Sequence, residues 1–262
     1  MSDRADSEPT MHEFLTGLAR RAGALLLNYY RSDALRSEEK GPWDLVTEAD
    51  RASERLITDA IRSRFPDHEV LGEESGRSGT ASGWLWLVDP LDGTLNFSRG
   101  LHTWGVSVAL ARDNDVLYGA FYDPVHDELF YAERGRGATL NGHRLRTSQC
   151  RELGQAVVFC SVSHGPAAEI TQRNVQRLWN HVMRLRMTGS VGSALSGLAA
   201  GRMDAAIEIR GGAWDHAAGG LLVREAGGCT STFDGRPLDA EATTVLAAST
   251  ADLHRSLREL LA

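Results

Sequence analysis

Apolar residues recur along this chain with two different periods, and the switches between them mark its elements. Over residues 11–30, Phe14, Leu15, Leu18, Ala22, Leu25 and Leu26 fall at helical spacing, which predicts an amphipathic helix. Residues 32–42 are charged and lack any apolar period, so they read as a mobile surface loop ending at Gly41-Pro42. Thr47 is placed to cap a second helix running to about Arg64, with Asp50 at capping-box spacing and Pro66 beyond its end. Residues 68–71 read as a short strand, and a Ser/Gly-rich loop follows Glu73-Glu74 as far as Gly83. Trp84-Leu85-Trp86-Leu87-Val88 is a run of large apolar residues with strand character. Residues 104–111, 116–122 and 128–132 then read as an antiparallel meander, with turns at Asn114-Asp115 and Asp123-Pro124 and a tight turn over 135–142.

Beyond Arg151 the grammar becomes alternating. Strands are expected at 156–161, 183–187, 204–209, 229–232 and 244–248, and helices at 168–180, 191–200, 215–225 and 251–261. A run of strands followed by alternation predicts layered α/β sheets with helices between them, the sheet changing near Cys150. Residues 1–9 read as a disordered tail, and 10–262 as one catalytic domain with halves at 10–150 and 151–262.

Composition narrows the function classes. A net charge of −7 and the lack of a basic run argue against a general nucleic-acid binder. Three cysteines far apart, with no CxxC, imply neither a disulfide framework nor a zinc site. The N-terminus is polar and acidic, and no window approaches the roughly 18 apolar residues of a membrane span. A cytoplasmic protein without membrane partners is expected.

The chemistry concentrates where the apolar run ends. Asp89 and Asp92 are expected just past the strand, followed by Gly93, Thr94 and a segment able to begin a helix. Carboxylates three apart across a Pro-containing turn cannot both face a core; converging at the strand's mouth, they suit a hard divalent cation. The amides of Gly93 and Thr94 at a helix start would suit a phosphate. Other acids have commonplace readings when taken singly: Asp50 as a capper, Glu73-Glu74 as a solvated loop, Asp215 as the N-cap of the helix after it.

Gly72-Glu73-Glu74, the stretch Asp89-Pro90-Leu91-Asp92-Gly93-Thr94-Leu95-Asn96-Phe97, and Trp214-Asp215 with Glu225-Ala226-Gly227-Gly228 resemble the signatures of the inositol monophosphatase family. The resemblance extends over nearly the whole chain, including the approach at 44–50. It implies an α/β/α/β/α layered sandwich of the inositol monophosphatase / fructose-1,6-bisphosphatase type and, commonly, a homodimer. It also implies a Mg²⁺-dependent, lithium-sensitive phosphatase with two to three metal ions. Glu73, Asp89 and the Leu91 carbonyl would hold the first ion; Asp89, Asp92 and Asp215 the second; Glu73 and waters a weaker third. Thr94 and Asp50, with Glu73 beside them, would orient and help deprotonate the attacking water.

For the substrate, the resemblance implies contacts from Asp92, Gly93, Thr94, Arg186, Gly189, Ser190, Val191, Glu208 and Asp215. Glu208 would bind a sugar hydroxyl or stand as a strand-end surface charge, and Arg186 would meet substrate or support a dimer or pocket wall. Ser190 stands where related histidinol-phosphate phosphatases are expected to carry Asp, which leans toward a neutral polyol such as inositol 1-phosphate. Histidinol phosphate, fructose 1,6-bisphosphate and 3′-phosphoadenosine 5′-phosphate are the rivals within this chemistry. A non-catalytic regulator binding RNA polymerase or RNA is the rival outside it. Lys40 is either a screen over the site or a solvated lysine. His102, His126, His164 and His216 are expected at the surface or in support of ligands, and Trp214 to fix Asp215 by burial.

Overall fold

The computed structural model describes residues 9–32, 35–42 and 44–262; the tail expected at 1–9 lies outside the described residues except for Pro9. Helix α1 (Met11–Tyr29) opens on a capping box between Thr10 and Glu13. A hairpin of β1 (Ser37–Gly41) and β2 (Asp44–Thr47) leads into α2 (Glu48–Arg64). Thr47 caps that helix, and Asp50 returns the bond to the Thr47 amide at 2.8 Å, as the spacing predicts. The strands β3 (Glu69–Gly72), β4 (Gly76–Ser78) and β5 (Trp84–Asp92) precede the short helix α3 (Thr94–Ser98). A meander follows: β6 (Gly105–Arg112), β7 (Asp115–Asp123), β8 (Glu128–Glu133), β9 (Gly137–Leu140) and β10 (His143–Arg144).

The later part alternates: β11 (Val157–Cys160), α4 (Ala168–His181), β12 (Arg184–Arg186), α5 (Val191–Ala199), β13 (Ala205–Glu208) and α6 (Ala213–Glu225). Strands β14 (Cys229–Ser231) and β15 (Val245–Ala248) and helix α7 (Ala251–Leu261) complete it. Among the described residues an eight-stranded sheet runs β10-β9-β8-β7-β6-β5-β3-β4, and a five-stranded sheet runs β12-β11-β13-β15-β14. The first is antiparallel except where β3 meets β5; in the second, β12, β11 and β13 are parallel.

Strand alternation sorts the side chains into three cores. On β5, Trp86 and Val88 face α1 and α2, while Leu85 and Leu87 face the interior shared with α5 and α6. On β15, Val245 and Ala247 join that same interior, and Leu246 and Ala248 pack under α4 and α7. Helix pair, sheet, helix pair, sheet, helix pair is the α/β/α/β/α sandwich. Burying both faces of each sheet explains why β5 and β6 read as nearly unbroken apolar runs.

Three expectations are corrected. The charged segment at 32–42 is not simply a loop: its second half is β1, paired Ser37↔Thr47, Glu38↔Val46 and Glu39↔Leu45. Backbone bonds make that strand, and side chains exposed on both sides leave no period to read. The Ser/Gly-rich stretch holds β4, and the expected turn at 135–142 holds β9, between positive-φ Gly135 and Gly142.

Candidate active site

Asp89 and Asp92 do not follow β5 but belong to its last turn. Asp89 pairs with Ser107 and Asp92 with Gly105, two partners apart for three residues of β5, so a bulge lies between them. Pro90 fits there because a bulge asks no ladder bond of its nitrogen. Ser53 Oγ donates to the Pro90 carbonyl at 2.9 Å, and the Leu91 amide donates to Asp89 Oδ1 at 3.0 Å. Gly93 then turns the chain into α3 at φ 93°, where any Cβ would meet Thr103 O at 2.9 Å.

Around this turn the other candidate residues collect. Thr94 Oγ1 lies 2.8 Å from Asp50 Oδ1 and 3.0 Å from the Leu91 carbonyl, so its single proton is shared between two acceptors. Asp50 is therefore both capper and site residue: Oδ2 holds Thr47, Oδ1 holds Thr94. Asp92 is buried, and it accepts from Ser190 Oγ at 2.5 Å and from the amides of Gly192 (2.7 Å), Val191 (3.2 Å) and Ser193 (3.3 Å). Asp215 is the third residue of α6, not its N-cap, and reaches back to accept from the Gly212 amide at 2.6 Å. Beside it, buried Glu208 turns Oε2 toward His216 Nδ1 at 3.6 Å, while His216 Nε2 bonds the Ala242 carbonyl at 2.8 Å.

Electrostatics mark the acids as a group. Desolvation raises Asp89 well above the usual carboxylate range, and the charges of Glu73, Asp92 and Asp215 add to it. Asp215 is raised well above that range by desolvation, then by Glu208, Glu73 and Asp92. Desolvation lifts Asp92 only to about 6, because Ser190 and the α5 amides stabilise its charge. Glu208 is raised by desolvation and then by Asp92, and Asp50 and Glu73 are raised by desolvation against hydrogen bonds and Lys40 respectively.

Lys40 is not a solvated loop lysine. Its ammonium bonds Glu73 Oε1 at 3.2 Å and also Glu74, and these two acids outweigh the desolvation that would lower it, so its pKa is raised. Desolvation carries Glu74 up to about 7. As the side chains stand, among the described residues no three of His, Cys, Asp and Glu form a ready ligand set for one ion.

A cavity of about 810 Å³ opens beside Glu73 and Thr94, lined also by Gly93, Gly189, Arg99 and His164 among others. Arg186 is not brought to it; exposed on edge strand β12, it bonds its own neighbour's carbonyl, Leu185 O, at 3.1 Å. His102 pairs with Arg31 and His126 with Asp123. Trp214 packs its ring over Gly212, holding the entry to α6. The sequence reading missed Glu54, whose carboxylate takes the amides of Glu74 (2.8 Å) and Ser75 (2.9 Å) and so shapes the Glu73 turn. Its position four residues after Asp50 on α2, hence on the same helical face, was the available signal.

Comparison with known proteins agrees with this layout. The model of the inositol monophosphatase family matches residues 8–262. Nus factor SuhB of Escherichia coli (strain K12) is 42% identical over 221 residues, 83% of each chain. Inositol monophosphatase 2 of Solanum lycopersicum is 39% identical, covering 87% of this chain and 89% of its own. Among solved structures, the extragenic suppressor protein suhB of Bartonella henselae superposes with TM-score 0.90 at 34% identity, over 95% of this chain and 97% of that one. The IMPase of Thermotoga maritima superposes with TM-score 0.86 at 32% identity, over 95% and 96%. With its sandwich, its acid turn and a family match over nearly its full length, the chain belongs to the inositol monophosphatase family.

Proposed function

We propose that this protein is a Mg²⁺-dependent phosphomonoesterase that hydrolyses inositol 1-phosphate or a related sugar or polyol phosphate by water attack. The observation that carries this reading is the group of acids at the end of β5 and the start of α6, whose charges raise one another's pKa. Such a set gains from a hard cation, and every donor in it is oxygen, which fits Mg²⁺. Glu73, Asp89 and the Leu91 carbonyl would hold one ion, Asp89, Asp92 and Asp215 a second, and Glu73 a weaker third. When bound, the metal supplies positive charge that acidifies water and offsets the leaving alkoxide.

The chain's own residues do the rest. Thr94, bonded to Asp50, would accept a water proton once its own is held by Asp50. Gly93 allows the backbone to approach the phosphoryl group without a side chain between them. Gly189 lines the cavity, Ser190 acts by fixing Asp92 rather than by facing it, and Glu208 would meet a substrate hydroxyl from beside Asp215. Lys40 on the hairpin screens Glu73 and Glu74.

A homodimer fits the exposed Trp179, Met183 and Met187, which flank edge strand β12. No helix among the described residues is long and apolar enough to cross a membrane. The test is phosphate release from a panel of sugar, polyol and nucleoside phosphates with Mg²⁺, then with added Li⁺. Release from none would end the reading, and millimolar Li⁺ is expected to inhibit.

A second reading rests on the name Nus factor borne by the Escherichia coli relative. It is a regulatory role through RNA polymerase or RNA, apart from catalysis. Capture of transcription proteins by an Asp92→Asn variant that lacks phosphatase activity would support it.

A further inference from the structure

Helix α2 buries three polar residues, Asp50, Ser53 and Glu54, and each is tied to a different piece of the site. Asp50 Oδ1 accepts from Thr94 at 2.8 Å, Ser53 Oγ donates to the Pro90 carbonyl at 2.9 Å, and Glu54 takes the amides of Glu74 and Ser75. The first two act where β5 passes into α3. Of the three, Glu54 acts on the turn between β3 and β4, where Glu73 sits.

That turn is pinned at three successive amides. Glu73 N donates to the Val88 carbonyl at 3.1 Å, one residue before Asp89. Glu74 N donates to Glu54 Oε2 at 2.8 Å, and Ser75 N to Glu54 Oε1 at 2.9 Å. Gly72 and Gly76 close the turn as a strand pair. The approach is tight: a Cβ on Gly72 would lie 2.6 Å from the carboxyl carbon of Glu54. A carboxylate suits this place where glutamine would not, because two amides need two acceptors and a glutamine side chain brings one acceptor and one donor.

We propose that Glu54 is a positioning residue that sets how tightly the ion beside Glu73 is bound, by fixing the backbone from which Glu73 reaches into the site. This rests on the phosphatase reading and deepens it. Along α2 the labour divides: Asp50 would serve the attacking water through Thr94, whereas Glu54 serves metal affinity while touching neither metal nor substrate. Mg²⁺ demands near-ideal octahedral geometry, so a ligand carried on a turn that can shift binds it poorly. Groups that orient a metal ligand govern roughly ten- to hundredfold in affinity.

The test is calorimetric titration of the substrate-free, EDTA-treated protein with Mg²⁺, alongside Tm, for the wild type, Glu54→Gln, Glu73→Gln and the double variant. Glu54→Gln should weaken Mg²⁺ binding about tenfold, and kcat at saturating Mg²⁺ should fall by a smaller factor. In the Glu73→Gln background there is no Glu73 carboxylate left to position. There the same change should alter the remaining Mg²⁺ affinity less than about twofold, with a similar loss of Tm in both backgrounds. Should Glu54→Gln fail to fold, Glu54→Asp keeps the charge but draws the oxygens back by one methylene, and the same weakening is expected of it. Mg²⁺ affinity unmoved in a folded variant while Tm falls makes Glu54 a staple of the fold alone and overturns the proposal. Equal weakening in both backgrounds overturns it too, since the effect would not pass through Glu73. Either result leaves the phosphatase reading standing, whereas a wild type that neither binds Mg²⁺ nor releases phosphate overturns both.

Discussion

The entries to α5 and α6 each hold one aspartate of the candidate site, and they hold them in opposite ways. At α5, Asp92 is surrounded by one hydroxyl and three amides, so its charge is largely met by the helix start. At α6, Asp215 has the single Gly212 amide and the pressure of Glu208 beside it. The pKa directions follow: Asp92 rises only to about 6, Asp215 well beyond the usual range. Two residues of one type, in one site, thus differ in how firmly the protein itself can hold their charge. Asp92 is fixed by fold; Asp215 stands to gain more from an external cation.

The sharpest way to break this comparison is Asp92→Asn. Replacing a carboxylate among amide donors with a group that also donates should cost roughly 10³-fold or more in kcat if Asp92 also holds metal. Steady-state rates at saturating Mg²⁺ would check it, and near-normal turnover would leave Asp92 a mere helix cap. Next comes the metal itself. Mg²⁺ at a hundredfold over its Kd should stabilise the fold by about 2.7 kcal/mol per independent site. Melting with Mg²⁺ and with EDTA measures this, and the gain should shrink more in Asp215→Asn than in a distant surface variant.

Gly211→Ala probes the crowded side alone. Its Cβ would press on Glu208 and Asp215, so kcat should fall about tenfold or more with a small loss of Tm. Unchanged kinetics would mean those acids can shift freely. The mildest test is Ser190→Ala, which removes a donor to Asp92 and the N-cap bond to the Ser193 amide at 3.2 Å. About 1 kcal/mol of stability should go, measured by urea denaturation, with a kcat effect smaller than that of Gly211→Ala.

Much of this arrangement is local and could be read directly. The capping box of Thr47 and Asp50, the acid turn after Val88 and the order of strands and helices beyond Arg151 all depend on residues a few positions apart. Asp215 was legible as a site acid but not as the third helical residue, because Ala213 and Trp214 carry no start signal stronger than its own. Glu54 went unseen because its partners, the amides of Glu74 and Ser75, advertise nothing in sequence. The hairpin of β1 was illegible for a related reason, since backbone pairing alone defines it.

What the chain determined by itself is therefore its element order, its layer pattern and the identity of its acids, since helical and strand periods and short-range capping are properties of neighbours. What tertiary structure decided is which donors meet which carboxylate. Ser190 reaches Asp92 across 98 residues, Lys40 reaches Glu73 across 33, and Glu54 reaches the Glu74 amide across 20. Such meetings follow from how sheets and helices stack, and no period along the chain encodes them.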